Sequence, residues 1–251
     1  MFKILFRKID GLLFPRRCRH CGGVFQEGLS NILCQSCFDL IEPDGDPRCE
    51  GCGLPLSPGS FEGSRELRCA ECADRPEILR MVRAYAAYEG SLRLAHHAFK
   101  FEGMASLASV LGRCLALAVP EDWKGEGTCL VPVPLSPDRE RERGYHPARL
   151  LAAEVSIRTG MPWADLLRKI RPTPPQMKLP REERRRNLKG AFSLRGVLPD
   201  ARILLVDDVV TTGSTLEECA RVLKKSGAVE IGAVVLGRTG RLNVSGGPTR
   251  L

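Results

Sequence analysis

Residues 203–215 read Ile-Leu-Leu-Val-Asp-Asp-Val-Val-Thr-Thr-Gly-Ser-Thr, and this stretch decides the fold. Four apolar residues, Ile203–Val206, have the length and character of a buried strand. They run into two adjacent carboxylates, Asp207 and Asp208. A hydroxyl-rich loop follows, Thr211, Thr212, Gly213, Ser214 and Thr215, and a helical pattern begins at Leu216. Such a loop presents backbone N–H groups and hydroxyls to an anion, Gly213 permits close approach, and the helix N-terminus adds a favourable dipole. The carboxylates would repel that anion, so their task is a different one: ribose hydroxyls, or a metal that itself meets the ligand. No GxxxxGK[ST] occurs in the chain, which removes the nucleotide P-loop.

Outward from this stretch, the texture beyond Met81 alternates between strand and helix. The pattern predicts strands over Val82–Tyr88, Thr128–Val133, Ile203–Asp207 and Val229–Gly237. It predicts helices over Ser91–Phe101, Met104–Val119, His146–Thr159 and Ser214–Ser226, with Gly103, Gly160 and Gly227 as stops. This alternation gives the α/β class, a mainly parallel sheet flanked by helices, with ligands at the C-terminal ends of the strands. A second strand end carries polar chemistry: after Val131-Pro132-Val133-Pro134 come Arg139, Arg141 and Arg143 at alternate positions, then Gly144. Read as a loop, this segment faces a polyanion; as a solvated charge run, it is neutralised by Glu140 and Glu142. Arg168–Phe192 holds four prolines and no periodicity, and is expected to be mobile. Lys100 is a further candidate cation near the ligand, and His96 and His97 are read as capping or lining their helix rather than as catalytic.

The 251 residues suffice for one or two domains, and 43% hydrophobic with 27% charged residues is ordinary for a globular protein. A net charge of +8 suggests an acidic partner: a phosphate-rich ligand, nucleic acid or a membrane surface. Ten Lys/Arg against two acids between Arg168 and Arg195 place that excess in one segment. No run of eighteen apolar residues spans a bilayer. The first seventeen residues, basic and apolar by turns, read as a short amphipathic helix docked on the body or resting on a membrane surface, not as a signal peptide. The expected location is the cytoplasm.

Of eleven cysteines, eight form four CxxC pairs: Cys18/Cys21, Cys34/Cys37, Cys49/Cys52 and Cys69/Cys72. Two such pairs complete a closed tetrahedral zinc shell, and the spacing is that of zinc ribbons. Consecutive pairing gives two sites, Cys18/Cys21/Cys34/Cys37 and Cys49/Cys52/Cys69/Cys72; spacing alone leaves an interleaved pairing open. A redox role would not need four pairs. Zinc here is structural, in place of the core that a Gly/Pro-rich segment cannot build. His20 is a bystander beside four sulfurs, and Cys114, Cys129 and Cys219 read as small buried hydrophobes.

The thirteen residues of 203–215 resemble the fingerprint of type I phosphoribosyltransferases at every position. That resemblance implies binding of phosphoribosyl pyrophosphate (PRPP), with Asp207 and Asp208 on the ribose hydroxyls and Thr211–Thr215 around the 5-phosphate. The whole chain is similar to the ComF/GntX family over roughly residues 10–240. The match rests on the cysteine module, Phe99-Lys100-Phe101-Glu102-Gly103, the Val131–Pro134 run with its arginines, and Arg171, Thr173, Gln176, Leu179, Arg184, Asn187, Gly190 and Phe192. One departure is His146, where the family usually has Asn.

Residues 242–251, with Gly246, Gly247 and Pro248, read as a tail without order. Membership implies that residues 1–78 would form an N-terminal helix and double zinc-ribbon module and 79–241 a phosphoribosyltransferase-like domain. It implies a magnesium ion with PRPP, Arg139, Arg143 and Lys100 on the ligand, Arg184 beside Asp207 and Asp208 in catalysis, and transfer of the phosphoribosyl group to an acceptor. It also implies a role in DNA uptake during natural transformation, with single-stranded DNA and the competence machinery as partners. The alternative is a non-catalytic single-stranded-DNA adaptor on the same fold. Neither the acceptor nor the oligomeric state is legible.

Overall fold

A computed structural model of the protein describes residues 16–25, 31–45, 47–56, 67–73, 77–172 and 186–240. The centre is a four-stranded parallel sheet of β3 (Met81–Ala87), β8 (Ile231–Arg238), β7 (Arg202–Val210) and β4 (Thr128–Pro132), in that spatial order. Between β3 and β4 run α3 (Gly90–Phe101) and α4 (Leu107–Leu117). Between β4 and β7 run α5 (Pro137–Arg143), α6 (Pro147–Thr159) and the antiparallel pair β5 (Leu167–Lys169) and β6 (Phe192–Leu194). Helix α7 (Ser214–Lys225) joins β7 to β8. The expected parallel α/β architecture is therefore present.

Register follows the apolar pattern. Ile203 lies opposite Ile231, Leu204 opposite Leu130 and Val206 opposite Val234. Successive side chains of a strand face opposite sides of the sheet. Leu204 and Val206 accordingly join Leu130, Val234 and Leu236 in one buried cluster with α3, α4 and α6. Ile203 and Leu205 join Val131, Ala233 and Val235 in a second, with α7. Burial on both faces explains the unbroken apolar run Ile203–Val206, and each fully buried leucine contributes roughly 1.5–3 kcal/mol. Strand β7 runs to Val210, three residues beyond the expected end, because β8 continues to pair with it at Asp207, Val209 and Val210.

Two sequence expectations are corrected. The arginine segment after β4 is not a loop but helix α5, started by Pro137 at its first position and closed by Gly144 in the left-handed region. Glu140 and Glu142 are spaced for helical pairing, and a seven-residue helix with alternating charge shows no apolar periodicity to read. The ends of the supposedly irregular Arg168–Phe192 segment form the β5–β6 pair, with Lys169 opposite Phe192.

The cysteine segments lie against this body. Strands β1 (Arg16–Arg17) and β2 (Val24–Phe25) with α1 (Gln35–Asp39) build the first ribbon, and α2 (Ala70–Ala73) belongs to the second. Cys18, Phe25, Ile32, Leu33, Cys37, Phe38 and Ile41 are buried in the same cluster as α3 and α4. Among the described residues no helix is long and apolar enough to cross a membrane. The expected N-terminal helix and C-terminal tail lie outside the described residues.

Candidate functional site: an acidic pair, a hydroxyl loop and two zinc ribbons

Strand alternation separates the two carboxylates. Asp208 is buried at 5% exposure and faces α3, where its Oδ2 lies 2.5 Å from Lys100 Nζ and 3.1 Å from His96 Nε2. Asp207 is half-buried on the other face, where its charge is felt by the buried Cys219 of α7. Lys100 reaches β7 although β8 lies between β3 and β7. Helix α3, which begins beside the end of β3, therefore crosses the C-terminal edge of the sheet. Its position i, i+4 pair His96 and Lys100 brackets Asp208, and Tyr88 Oη sits 2.7 Å from His96 Nδ1.

The electrostatics follow from that geometry. Burial alone would raise the Asp208 carboxyl, but the Lys100 ammonium and the His96 contact override it and hold the group well below the carboxylate range. Burial would likewise strip Lys100 of its proton; Asp208, then Asp207, keeps it on and raises its pKa. Among the described residues Asp207 has no ion pair, so burial and then the neighbouring Asp208 charge, against the weaker pull of Lys100, push it up to about 7. Asp208 is thus a permanent anion, and Asp207 a carboxylate that a cation or hydroxyl-rich ligand would stabilise.

The loop behind the pair is built as the sequence implies. Thr212 Oγ1 and Ser214 Oγ lie 2.9 Å apart, and Gly213 has φ +76°, a conformation glycine adopts without steric cost. Gly213 is the N-cap of α7 and offers no side-chain cap, so the dipole end of a twelve-residue helix opens at the loop. Arg143 adds a half-buried guanidinium over the Phe101 ring, 5.6 Å from its centroid. Its Nη1 is buried and lacks a hydrogen-bond partner among the described residues. Burial pulls the Arg143 pKa down while Asp208 offsets the shift. A buried, unpartnered guanidinium nitrogen calls for an anion.

The arginines divide by helical geometry. Arg141, exposed, pairs with Asp138 on its own helix, and Glu140 is taken by Arg149 at 2.6 Å, so neither meets the acidic pair. Arg139 is exposed on α5, and its charge lowers Lys169 after burial does so, which places it toward the β5–β6 hairpin. Arg143 and Lys100 therefore converge on Asp208, whereas Arg139 faces the hairpin. Arg184, with Thr173, Gln176 and Leu179, lies outside the described residues. Arg171 is described, and its Nη2 donates to the carbonyls of Asn187 and Lys189 at 2.7 and 3.1 Å, which ties the end of β5 to the residues leading into β6. Glu218 Oε1 accepts from Gly190 N at 2.9 Å and ties that base to α7.

His146 is the N-cap of α6: its Nδ1 accepts from Arg149 N at 3.2 Å, and Nε2 lies 3.0 Å from Leu135 N. Asparagine caps in the same way through its side-chain oxygen, so the departure exchanges one cap for another. Tyr145 Oη donates to Phe99 O and joins α3 to this turn.

The cysteines gather as consecutive pairs. Cys18, Cys21, Cys34 and Cys37 bring their sulfurs within 4.8 Å of one another, as do Cys49, Cys52, Cys69 and Cys72, and the interleaved pairing is thereby removed. Sulfurs about 2.3 Å from a tetrahedral zinc stand roughly 3.8 Å apart; Cys21–Cys34 and Cys52–Cys69 are 3.9 and 3.8 Å. Cys69 N donates to Cys49 Sγ at 3.3 Å, a knuckle contact that supports a thiolate. A hydrogen bond from Cys52 draws Cys49 down to about 4, and the matching bond pushes Cys52 up. A shared-proton set of this kind is one that zinc displaces on binding. Cys114, Cys129 and Cys219 are buried singly, as expected.

Comparison with known proteins agrees with these two constructions. Residues 10–75 match the double zinc ribbon domain, and residues 142–246 match the phosphoribosyl transferase domain. The chain is 32% identical to competence protein F of Haemophilus influenzae over 226 residues, 87% of this chain and 95% of the relative. The chain belongs to the competence protein F family. It is also 32% identical to the DNA utilization protein YhgH of Escherichia coli K12, over 82% of this chain and 90% of that one. Competence protein ComFC of Bacillus subtilis is 27% identical over 78% and 79% of the two chains. The ComF/GntX resemblance read from the motifs holds over most of the chain.

Sequence reasoning did not single out Tyr88, Lys169, Arg68 or Arg238, and it set His96 aside. The i, i+4 spacing of His96 and Lys100 was a usable signal for one of them. Arg68 comes to the cavity beside the hydroxyl loop from the second ribbon and Arg238 from the end of β8, a meeting that no local pattern encodes.

Proposed function

We propose that this member of the competence protein F family binds PRPP along the C-terminal edge of its sheet and transfers the 5-phosphoribosyl group to an acceptor, in the service of DNA uptake. The reading rests above all on Arg143 Nη1, which is buried, lacks a hydrogen-bond partner among the described residues and lies within the field of Asp208. The 5-phosphate lies on Thr211–Thr215. Asp207 takes the ribose hydroxyls, with Asp208 holding Lys100 in place rather than meeting the ligand alone. Arg143 and Lys100 stabilise negative charge on the pyrophosphate, and Arg139 approaches from the hairpin side. The bond from C1 to pyrophosphate breaks with its electron pair leaving on oxygen, the acceptor supplies the pair of the new bond, and its proton passes to solvent. Preorganised cations favour such a loose transition state. Magnesium bound with PRPP would neutralise part of the pyrophosphate charge, and the half-buried Asp207 is the described carboxylate suited to a cation.

Calorimetric titration of zinc-loaded protein with PRPP and magnesium tests this. Asp207→Asn leaves the Asp208–Lys100–His96 contacts standing and is expected to weaken binding at least tenfold; equal affinity in the variant would sink the assignment. The adaptor reading draws on the exposed Arg139, Arg141, Arg186 and Lys189. Aromatic residues are only 6% of the chain, so single-stranded DNA would be held by phosphate charge rather than by stacking. Its affinity would then fall steeply between about 50 and 200 mM salt.

A further inference from the structure

Cys52 and Cys72, two sulfurs of the second ribbon, line the same cavity of about 530 Å³ as Thr212, Gly213 and Ser214 of the hydroxyl loop. The ribbon is held there by the backbone. Strand β3 is an edge strand, and its outer polar groups are taken by the ribbon: Val82 N donates to Glu50 O at 3.1 Å, and Arg48 Nη1 to Ala84 O at 3.0 Å. From the sheet side, the Arg238 guanidinium at the end of β8 donates to Cys52 O. Gly53 has φ +72°, and a Cβ there would stand 2.6 Å from Val82 O, so the knuckle lies directly on β3. No cysteine of the first ribbon lines this cavity; that ribbon packs in the cluster of α3 and α4.

We propose that the second ribbon is a wall of the ligand cavity, so that the zinc it holds governs how tightly the hydroxyl loop binds a phosphorylated sugar. The inference rests on the PRPP reading for its ligand and on the cavity alone for its mechanics. Five cations line the cavity, among them Arg68 and Arg238 on the wall side and Arg221 on α7, against the acids Glu77, Glu217 and Glu218. The balance favours a phosphate. Apolar Leu79, Val82 and Leu216 line it between the charges, and an apolar wall strengthens a charge contact. Zinc held by Cys49 and Cys52 would fix the knuckle at Gly51–Gly53, since Cys52 lies within it and Cys49 two residues before it. Loss of the metal frees the wall, while the first ribbon's zinc has no such lever.

The test uses the full zinc-loaded chain with three variants: Cys72→Ser, Cys21→Ser and Gly53→Ala. Zinc content, PRPP affinity with magnesium by calorimetry, and hydrogen exchange across residues 210–221 are measured. Expected for Cys72→Ser are one zinc fewer per chain, at least tenfold more loss of PRPP affinity than in Cys21→Ser, and faster exchange across 210–217. Gly53→Ala retains both zincs, yet shifts the wall and weakens PRPP; it carries the test if Cys72→Ser does not fold. Equal loss in Cys21→Ser and Cys72→Ser, or unchanged affinity in Gly53→Ala, overturns the proposal. If the parent protein binds no PRPP, the phosphoribosyl reading has failed and exchange decides the wall. Faster exchange at 210–217 in Gly53→Ala supports it, and unchanged exchange overturns it.

Discussion

Asp208 and Asp207 are chemically identical neighbours with opposite tasks, and the difference is set by which face of β7 each occupies. Asp208 with Lys100 is a nearly buried ion pair, and removing one partner of such a pair leaves the other charge without compensation. Asp208→Asn is expected to cost about 2–3 kcal/mol, less than a fully buried pair because the Lys100 side chain is 26% exposed. Asp208→Asn combined with Lys100→Met should recover most of that loss in urea denaturation, and no recovery would show that the pair is not the cause. Asp207 behaves in the reverse sense. Its folded value is raised to about 7 from an ordinary 3.8. Between those values the unfolded chain releases a proton that the fold retains, so stability falls as pH rises and levels off above about 7. Asp207→Asn keeps an oxygen to accept from Asp208 N. It should therefore be more stable than the parent by about 1–2 kcal/mol at pH 8 after discounting for solvent screening, and equal to it near pH 4. An equal Tm at both pH values would refute the assignment. The residue that weakens the fold is the one proposed to meet the ligand, as expected of a site that would gain its stability on binding.

At the scale of elements, α6 depends on a titratable cap. A neutral imidazole has one lone-pair nitrogen with which to accept, and a protonated one has none. Burial, then the Arg149 charge, lowers the His146 pKa from 6.5. A lowered folded value means that the stabilisation is complete above pH 6.5 and is lost as pH falls through the folded value. The parent should therefore lose stability through this cap as pH falls below 6.5, up to the roughly 1 kcal/mol that such a cap is worth. His146→Asn should lose none through it, and His146→Ala should lack it at pH 7.5 and 5 alike; urea midpoints at the two pH values read this directly. The strand, acidic pair, loop and helix of 203–225 were legible because each step has its own residue chemistry in unbroken order. The four CxxC pairs were legible because zinc demands a fixed spacing. Helix α5 was not, since its seven residues carry no apolar face, nor was β5–β6, whose two three-residue strands stand twenty-two residues apart and pair only in three dimensions. The split of Asp207 from Asp208 follows from period two alone, but which face α3 covers depends on its crossing of the sheet edge.

For the whole molecule, the issue is whether the ribbons and the sheet form one cooperative unit. The first ribbon shares its buried side chains with the body: Phe25, Leu33, Phe38 and Ile41 lie in one cluster with Leu92, Phe99, Leu111 and Leu115. Across the surface Arg19 pairs with Glu102 at 2.5 Å, while Arg48 and Glu50 occupy the outer edge of β3. If the ribbons unfolded by themselves, loss of the first would expose this apolar surface and loss of the second the β3 edge. The body would then lose burial that a small sheet of four strands cannot spare. Zinc binding is thus linked to the global transition, because the metal binds the folded sulfur sets and shifts stability by mass action. Calorimetry of the zinc-loaded chain should show one endotherm whose van't Hoff and measured enthalpies agree, and a strong chelator should move that single transition to lower temperature. Chelation that instead produced a low-temperature ribbon transition and left the main Tm in place would show the ribbons to be appended modules. In that event the shared cluster would contribute little, and a chain beginning at residue 79 would fold unaided. With one transition, such a truncated chain is expected to aggregate through its bare β3 edge and the uncovered faces of α3 and α4.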